Sequence, residues 1–503
     1  MNKRSDIVDL MKKFKEIQMK QKAYGYVLTV VGWDSNTEAP RGAFARRAEM
    51  LGMISGELFN LTTSKEYQEV VNGLFEKLDE LDDISQREIK KAKKDLAKIV
   101  NIPKDEFIEY NKLINLSQKV WEDAKENNNF EAFKPNLEKI VEFTKKFTAY
   151  YNDVDHPYDI LLDGFEDGMS MKEYDNFFNT LKKDLVPFVK EVLNSGKVLN
   201  DAFITDYYPI DKQKKMADYL IDVLAFNRDN GLMKESVHPF TWNTHSTDVR
   251  FTTRYLENFM FSSIFAAIHE LGHATYEQQI DPKWDNTNLN GGTSMGIHES
   301  QSRFYENTIG RSFEFWKTHY YKLQEIYPVE LKDVSLDDFY RGVNKVEASF
   351  VRVEADELTY SMHIMIRYEI ERMIFSGDIE VKDLPRIWNE KMVEYLGIKP
   401  KDDSDGVLQD VHWSVGMFGY FPTYALGSAY SAQFYYAMKK EINVEKLVED
   451  NKISVINEWL KKKIHHYGGS KTPKELLIEV TGEEFNPKYY VKFLKEKYSK
   501  LYL

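Results

Sequence analysis

Apolar residues spaced three and four positions apart, set among lysines and glutamates, recur through most of this chain, and that period commits it to helices. The stretches ISQREIKKAKKDLAKIV (84–100), DEFIEYNKLINLSQKVWEDAKE (105–126) and residues 137–147 all repeat it. Prolines 103, 135, 157, 187, 209, 328 and 400 are expected to mark helix breaks. No repeat of solenoid period and no low-complexity tract interrupts the pattern.

One region departs from it. HPFTWNTHSTDVRFTTRY, residues 238–255, is rich in threonine, aromatic and turn residues and predicts a β-hairpin. NLNGGTSMGI (288–297) is expected to add another short strand. The fold class expected is therefore mainly α, a large helical bundle-like body with a small antiparallel sheet. No linker divides the 503 residues, so residues 1–503 read as one domain, with two lobes around a cleft as its natural form.

Composition narrows the function. With 42% hydrophobic residues the chain can build a large core. A net charge of −13 with both signs interspersed argues against a nucleic-acid partner. The absence of cysteine excludes disulfides, thiolate-bound zinc and a cysteine nucleophile, so a transition metal must be held by histidines and carboxylates. The N-terminus MNKRSDIVDLMKKFKEIQMKQ lacks an apolar run of signal-peptide length, and YVLTVVGW is too short to span a bilayer. A cytoplasmic protein without a membrane partner is expected.

The chemistry lies in LENFMFSSIFAAIHELGHATYEQQ. The apolar period continues through it, so His269, Glu270 and His273 sit on one helix, with the two histidines one turn apart on a shared face. Two imidazoles at that spacing can hold one Zn²⁺, and Glu270 projects beside them, where a base toward activated water belongs rather than a ligand. Eleven histidines in this length make a chance H-E-x-x-H uncommon, on the order of a few per cent. A catalytic site needs a third protein ligand and one open position. GIHESQSRFYEN offers Glu299 and His298. Adjacent helical residues point about 100° apart, so only one can ligate. Glu299 is the expected ligand, leaving His298 to support a ligand or contact substrate. An ordinary first-turn glutamate favoured by the helix dipole is the alternative reading of Glu299.

Several further segments, in order, resemble the thermostable carboxypeptidase Taq family of metallocarboxypeptidases. They are HPF (His238–Phe240), DVRFT (Asp248, Arg250, Thr252), HELGH, HESQ (298–301), VRVEAD (351–356, with Val where the family pattern has Ile) and GVLQDVHW (406–413). GWDSNTEAP, ARRAE and HPYDILLDGFEDGM also fit, so the likeness spans nearly the whole chain. It implies a helical fold with a deep cleft, similar in shape to neurolysin and angiotensin-converting enzyme, and removal of single residues from peptide C-termini with broad specificity. It also implies a homodimer and one divalent metal ion per chain, zinc by default with cobalt as an activating substitute.

A peptide with a free C-terminus needs a cationic partner, for which arginine's planar fork suits a carboxylate. The motif arginines are Arg352 and Arg250. Arg352 reads as helical in KVEASFVRVEADELTY, with Asp356 at i+4 as a structural partner, and Arg250 can equally brace the hairpin beside Asp248. The HPF residue His238 joins the substrate-binding candidates. Donors for the developing oxyanion are sought in HWSVGMFGYFPTYALG, where His412 and Tyr420 are the catalytic candidates and Tyr424 a substrate contact. A short strand beside the metal helix could also hold an extended peptide by strand addition. The rival readings are an endo-acting or dipeptide-releasing oligopeptidase of the same fold, and a non-catalytic helical protein holding metal for structure. Glu270 argues against the second, because a structural site has no use for a base.

Overall fold

The computed structural model describes residues 2–151, 156–197 and 199–503, with the side chains of 2–5 and 104 outside the description. The chain is built mostly of helices, as the periodicity predicts. The elements that build the site are α1 (Asn2–Thr37), α2 (Pro157–Phe165), α3 (Met260–Gln278), α4 (Met295–Arg303), α5 (Tyr360–Ser376) and α6 (Pro422–Met438), with strands β1 (Gly231–Glu235), β2 (Thr241–His245) and β3 (Asp248–Thr253).

The apolar stripes bury into two cores. The larger joins residues from Ala124 to Tyr502 and includes α3, α5 and α6. A smaller one gathers Phe14 and Ile17 of α1 with Tyr67, Val70, Val71 and Leu74 of helix Lys65–Phe75 and with Ile89, Ala92 and Leu96 of helix Asp83–Val100. Helices 65–75 and 83–100 carry apolar residues on one face and charges on the other, so each closes this second core with a single stripe.

Pro135 does not break a helix. It lies inside the helix Phe130–Thr148, in its second turn, where only one ladder bond is lost and the apolar face (Phe133, Leu137, Ile140) stays continuous.

The hairpin forms as expected from β2 and β3, which pair antiparallel around Ser246 and Thr247. The third strand is a different segment from the one expected. Residues 288–297 form no strand. Gly291 sits at φ 106°, the Leu289 carbonyl accepts from the Gly469 N–H, and the chain enters α4 at the Ser294 N-cap. β1, the sequence GLMKE, supplies the strand instead. The order is β1-β3-β2, with β1 parallel to β3, so the sheet is mixed rather than wholly antiparallel. The five residues after β1 carry the chain past β3's place, and the hairpin then folds β3 back between its neighbours. Val249 and Phe251 of β3 are fully buried beneath α3, which seats the sheet against the metal-motif helix.

Candidate metal and peptide site

α3 is apolar all round: Ile264, Ala267, Ile268, Leu271 and Ala274 are buried, so polar groups on it must find partners. Two glycines set how closely its neighbours approach. A Cβ on Gly272 would lie 2.7 Å from the Gln301 carbonyl oxygen and from the Ser302 Cα, so α4 crosses α3 at that point. A Cβ on Gly427 of α6 would lie 2.5 Å from the Glu299 Cγ. Helix α4 is thus wedged between α3 and α6, and Glu299 is driven toward the two histidines.

The Nε2 atoms of His269 and His273 lie 3.6 and 3.5 Å from Glu299 Oε2. One ligand atom from each of the three residues falls within 4.8 Å of the others. Each histidine's Nδ1 is engaged elsewhere, His269 on Glu306 Oε2 at 2.9 Å and His273 on His298 Nδ1 at 2.6 Å, which leaves both Nε2 atoms turned toward the carboxylate. Two imidazoles and one carboxylate with converging lone pairs fit a divalent ion of the zinc class.

Burial opposes the ionisation of Glu299, but Arg303 and the two histidines outweigh it and hold the carboxyl well below its usual range. Arg303, one turn along, donates Nε to Glu299 Oε1 at 2.7 Å and so turns Oε2 toward the histidines. Glu306 accepts from His269, Arg303 and Arg311 where the helix widens into a π-helical turn over Phe304–Gly310. The expectation centred on Glu299 did not reach Arg303 and Glu306, although they lie at i+4 and i+7 from it, the spacing of one helical face.

Glu270 is buried and is not part of the converging triad. Its Oε2 accepts from Thr241 Oγ1 of β2 at 2.6 Å, which holds the carboxylate and leaves Oε1 without that restraint. Burial pushes its pKa upward, against His269 and the Thr241 hydrogen bond. Thr241, three residues beyond the HPF histidine, was not singled out from sequence.

A cavity of about 810 Å³ runs along this centre, lined by His269, Glu270, Glu299, Arg303, Arg352, Tyr360 and Tyr424, with Phe259, Phe261 and Phe265 on another wall. Arg352 enters it differently from the sequence expectation. It lies in a 3-10 turn, Arg352–Glu354, outside any α-helix, and its partner is Asp410 rather than Asp356. Its Nε and Nη2 donate to Asp410 Oδ1 at 3.1 and 3.0 Å, and Nη1 donates to the Tyr360 hydroxyl at 3.1 Å. Asp356 instead accepts from the Leu358 and Thr359 N–H groups before α5, a local turn that stops the helix from running back to Arg352.

Asp410 also accepts from Arg367 Nε of α5 at 2.7 Å. Two guanidinium groups share one carboxylate, which leaves one uncompensated positive charge in this buried cluster. His412 adds none at neutral pH: burial, Arg352 and Arg367 depress its pKa to about 4, against the pull of Asp410. Its ring stacks with Tyr420 at 5.5 Å, and Tyr420 meets Tyr424 at 5.1 Å. Tyr424 is in the cavity wall, and His412 and Tyr420 form the layer beside it.

Two expected residues stand apart. Arg250 donates to both oxygens of Asp248, at 2.7 and 2.9 Å, and lies over Trp33 of α1, which braces the sheet and does not line the cavity. His238 is exposed on the β1–β2 connection, where its neighbour Pro239 reaches the cavity wall. His298 bridges Glu277 and His273: its Nε2 meets Glu277 Oε1 at 2.7 Å and its Nδ1 meets His273 Nδ1.

A buried helix bearing two histidines and a glutamate, a carboxylate delivered by a second helix, and a peptide-sized cavity above them define a metallopeptidase. The whole length of the chain agrees with that class. It belongs to the carboxypeptidase Taq (M32) metallopeptidase family, whose model matches residues 9–498, and it is a metallocarboxypeptidase of that family. It is 45% identical over 493 residues to carboxypeptidase 1 of Bacillus subtilis, covering 98% of each chain. Among solved structures it superimposes on a Pyrococcus furiosus carboxypeptidase (TM-score 0.94, 35% identity, covering 97% of this chain and 99% of that one). It also superimposes on the M32 carboxypeptidase of Deinococcus radiodurans (TM-score 0.94, 31% identity, 98% and 99%).

Proposed function

We propose that this metallocarboxypeptidase releases single residues of broad chemical type from peptide C-termini. In this reading His269, His273 and Glu299 hold one divalent ion, Zn²⁺ by donor chemistry, with Co²⁺ a competent substitute. The observation that carries the reading is Arg352, which lines the same cavity as Glu270 and the converging ligand atoms and shares Asp410 with the buried Arg367.

When bound, the ion supplies Lewis-acid polarisation and makes water a nucleophile near neutral pH. The remaining steps belong to the chain. Arg352 receives the substrate's terminal carboxylate and so places the last peptide bond beside Glu270. Glu270 takes a proton from the attacking water and passes it to the leaving amine. Tyr420, or His412 in its neutral form, donates a hydrogen bond to the developing oxyanion, and Tyr424 lines the path of the departing residue. β2, whose Thr241 reaches Glu270, offers an edge for the extended peptide. Among the described residues no helix is long and apolar enough to cross a membrane. A cytoplasmic homodimer completes the proposal.

Mass spectrometry of a peptide digested over time tests it. A ladder of products one residue shorter at the C-terminus is expected. Internal cleavage, or dipeptide release, would move the activity to the oligopeptidase alternative.

A further inference from the structure

Residues 409–419 form a loop held at both ends by one helix. Arg367 of α5 donates Nη2 to the Gln409 side-chain oxygen at 2.6 Å and Nε to Asp410. One turn further along the same face, Glu371 accepts from Trp413 Nε1 on one oxygen, and from the Gly419 N–H and the Tyr158 hydroxyl of α2 on the other, all at 2.7 Å. Arg367 and Glu371 are both fully buried.

Within the loop, the Met417 N–H donates to the His412 carbonyl, and Gly416 and Gly419 take φ of 74° and 86°. At Gly419 a Cβ would lie 2.8 Å from the Leu161 carbonyl group, so the backbone presses directly on α2. His412 precedes the Trp413 anchor by one residue, and Tyr420 follows the Gly419 anchor by one.

We propose that Glu371 is a positioning residue for catalysis. By bonding Trp413 and Gly419 it sets where His412 and Tyr420 stand against the Arg352 pocket. The inference rests on the oxyanion-donor reading of His412 and Tyr420. A buried carboxylate is costly unless its acceptor capacity is used, and here three donors from two segments use it. Neutral residues could pack α5 against α2. Glu371 bonds Trp413 through one oxygen and Gly419 through the other, so one side chain ties both ends of the loop segment.

The test compares Glu371→Gln, Trp413→Phe and the double variant as metal-loaded enzymes. In Glu371→Gln the new amide nitrogen must face a donor, so one anchor is repelled. The expected result is a fall in kcat of roughly 10–100-fold with KM within about threefold and metal content unchanged, because the loop meets the transition state and not the ion. Glu371→Gln should cost clearly less in the Trp413→Phe background, where the opposing N–H is gone. If Glu371→Gln folds poorly, Trp413→Phe alone must still lower kcat selectively. Equal losses in both backgrounds, or a lower Tm with unchanged kcat, overturn the proposal. His412→Ala and Tyr420→Phe are measured alongside. If both leave kcat unchanged, the donor reading fails and takes this inference with it. If they lower kcat while Glu371→Gln does not, the inference alone fails.

Discussion

The Nδ1 atoms of His273 and His298 face each other 2.6 Å apart, so one of the two rings must carry the proton between them. His298 Nε2 meets Glu277 Oε1 at 2.7 Å, and that carboxylate also accepts from Gly292 N–H and Asn243 Nδ2. A neutral His298 therefore keeps its proton on Nε2 and accepts at Nδ1. His273 must then donate from Nδ1, which frees its Nε2 lone pair for the ion. Both His298 nitrogens are committed, so neither offers a free lone pair to an ion. His298→Ala should retain metal with affinity lowered about 10–100-fold, whereas Glu299→Ala and His269→Ala should lose it. Chelator competition with elemental analysis measures this. A His298→Ala enzyme devoid of metal beside a fully loaded Glu299→Ala would reverse the ligand assignment.

Glu270 bonds Thr241 and stays out of the donor triad. Glu270→Gln keeps the side chain's shape and its bond to Thr241. Metal content should be unchanged while kcat falls roughly 10²–10⁴-fold or more. A loss of bound metal on this substitution would contradict the role.

Removing Arg352 does not orphan Asp410, because Arg367 still holds it. Arg352→Ala should therefore cost little stability and instead remove the uncompensated positive charge of the Arg352–Asp410–Arg367 cluster. Free-acid peptides should lose about 2–5 kcal/mol of transition-state stabilisation, roughly 30-fold to several thousand-fold in kcat/KM. C-terminally amidated peptides, already poor substrates, should lose little more. The four rates of wild type and variant on acid and amide decide the matter. Equal wild-type rates on both would end the carboxylate-anchor account, and an acid preference surviving Arg352→Ala would shift the anchor to another cation.

His412 has a folded pKa near 4, below the ordinary value of about 6.5. Between those values the unfolded chain binds the proton and the folded chain does not. Stability contributed by this residue is thus complete above pH 6.5, declines as pH falls toward 4, and levels off below. At pH 5 the loss should approach about 2 kcal/mol. The Tm of wild type should fall further between pH 7 and pH 5 than that of His412→Gln, since other titrations are common to both. Parallel melting shifts would show that His412 titrates normally.

Gly427→Ala places a methyl where Glu299 Cγ passes. The ligand helix must move, so metal affinity and Tm should fall together, and a neutral result would show that α4 and α6 separate freely.

Much of the centre was legible from spacing alone. The i, i+4 interval places His269 and His273 on one face whatever surrounds them, and the alternation of residues 241–253 forms its hairpin by local pairing. Those features depend on neighbours a few residues away, and backbone geometry encodes them directly. Tertiary structure decided the rest. Arg352 could have turned to Asp356 four residues on, yet the chain around it is not helical, and Asp410, 58 residues distant, takes two of its three donor nitrogens. β1 carries only five residues and two charges, too weak a pattern to announce a strand, and it is fixed by its register with β3. Glu371 reads as one more helical glutamate until one loop bonds it at two points. A buried charge must be paired, and the requirement is visible in sequence, but the partner is chosen by whichever segment packing brings within reach.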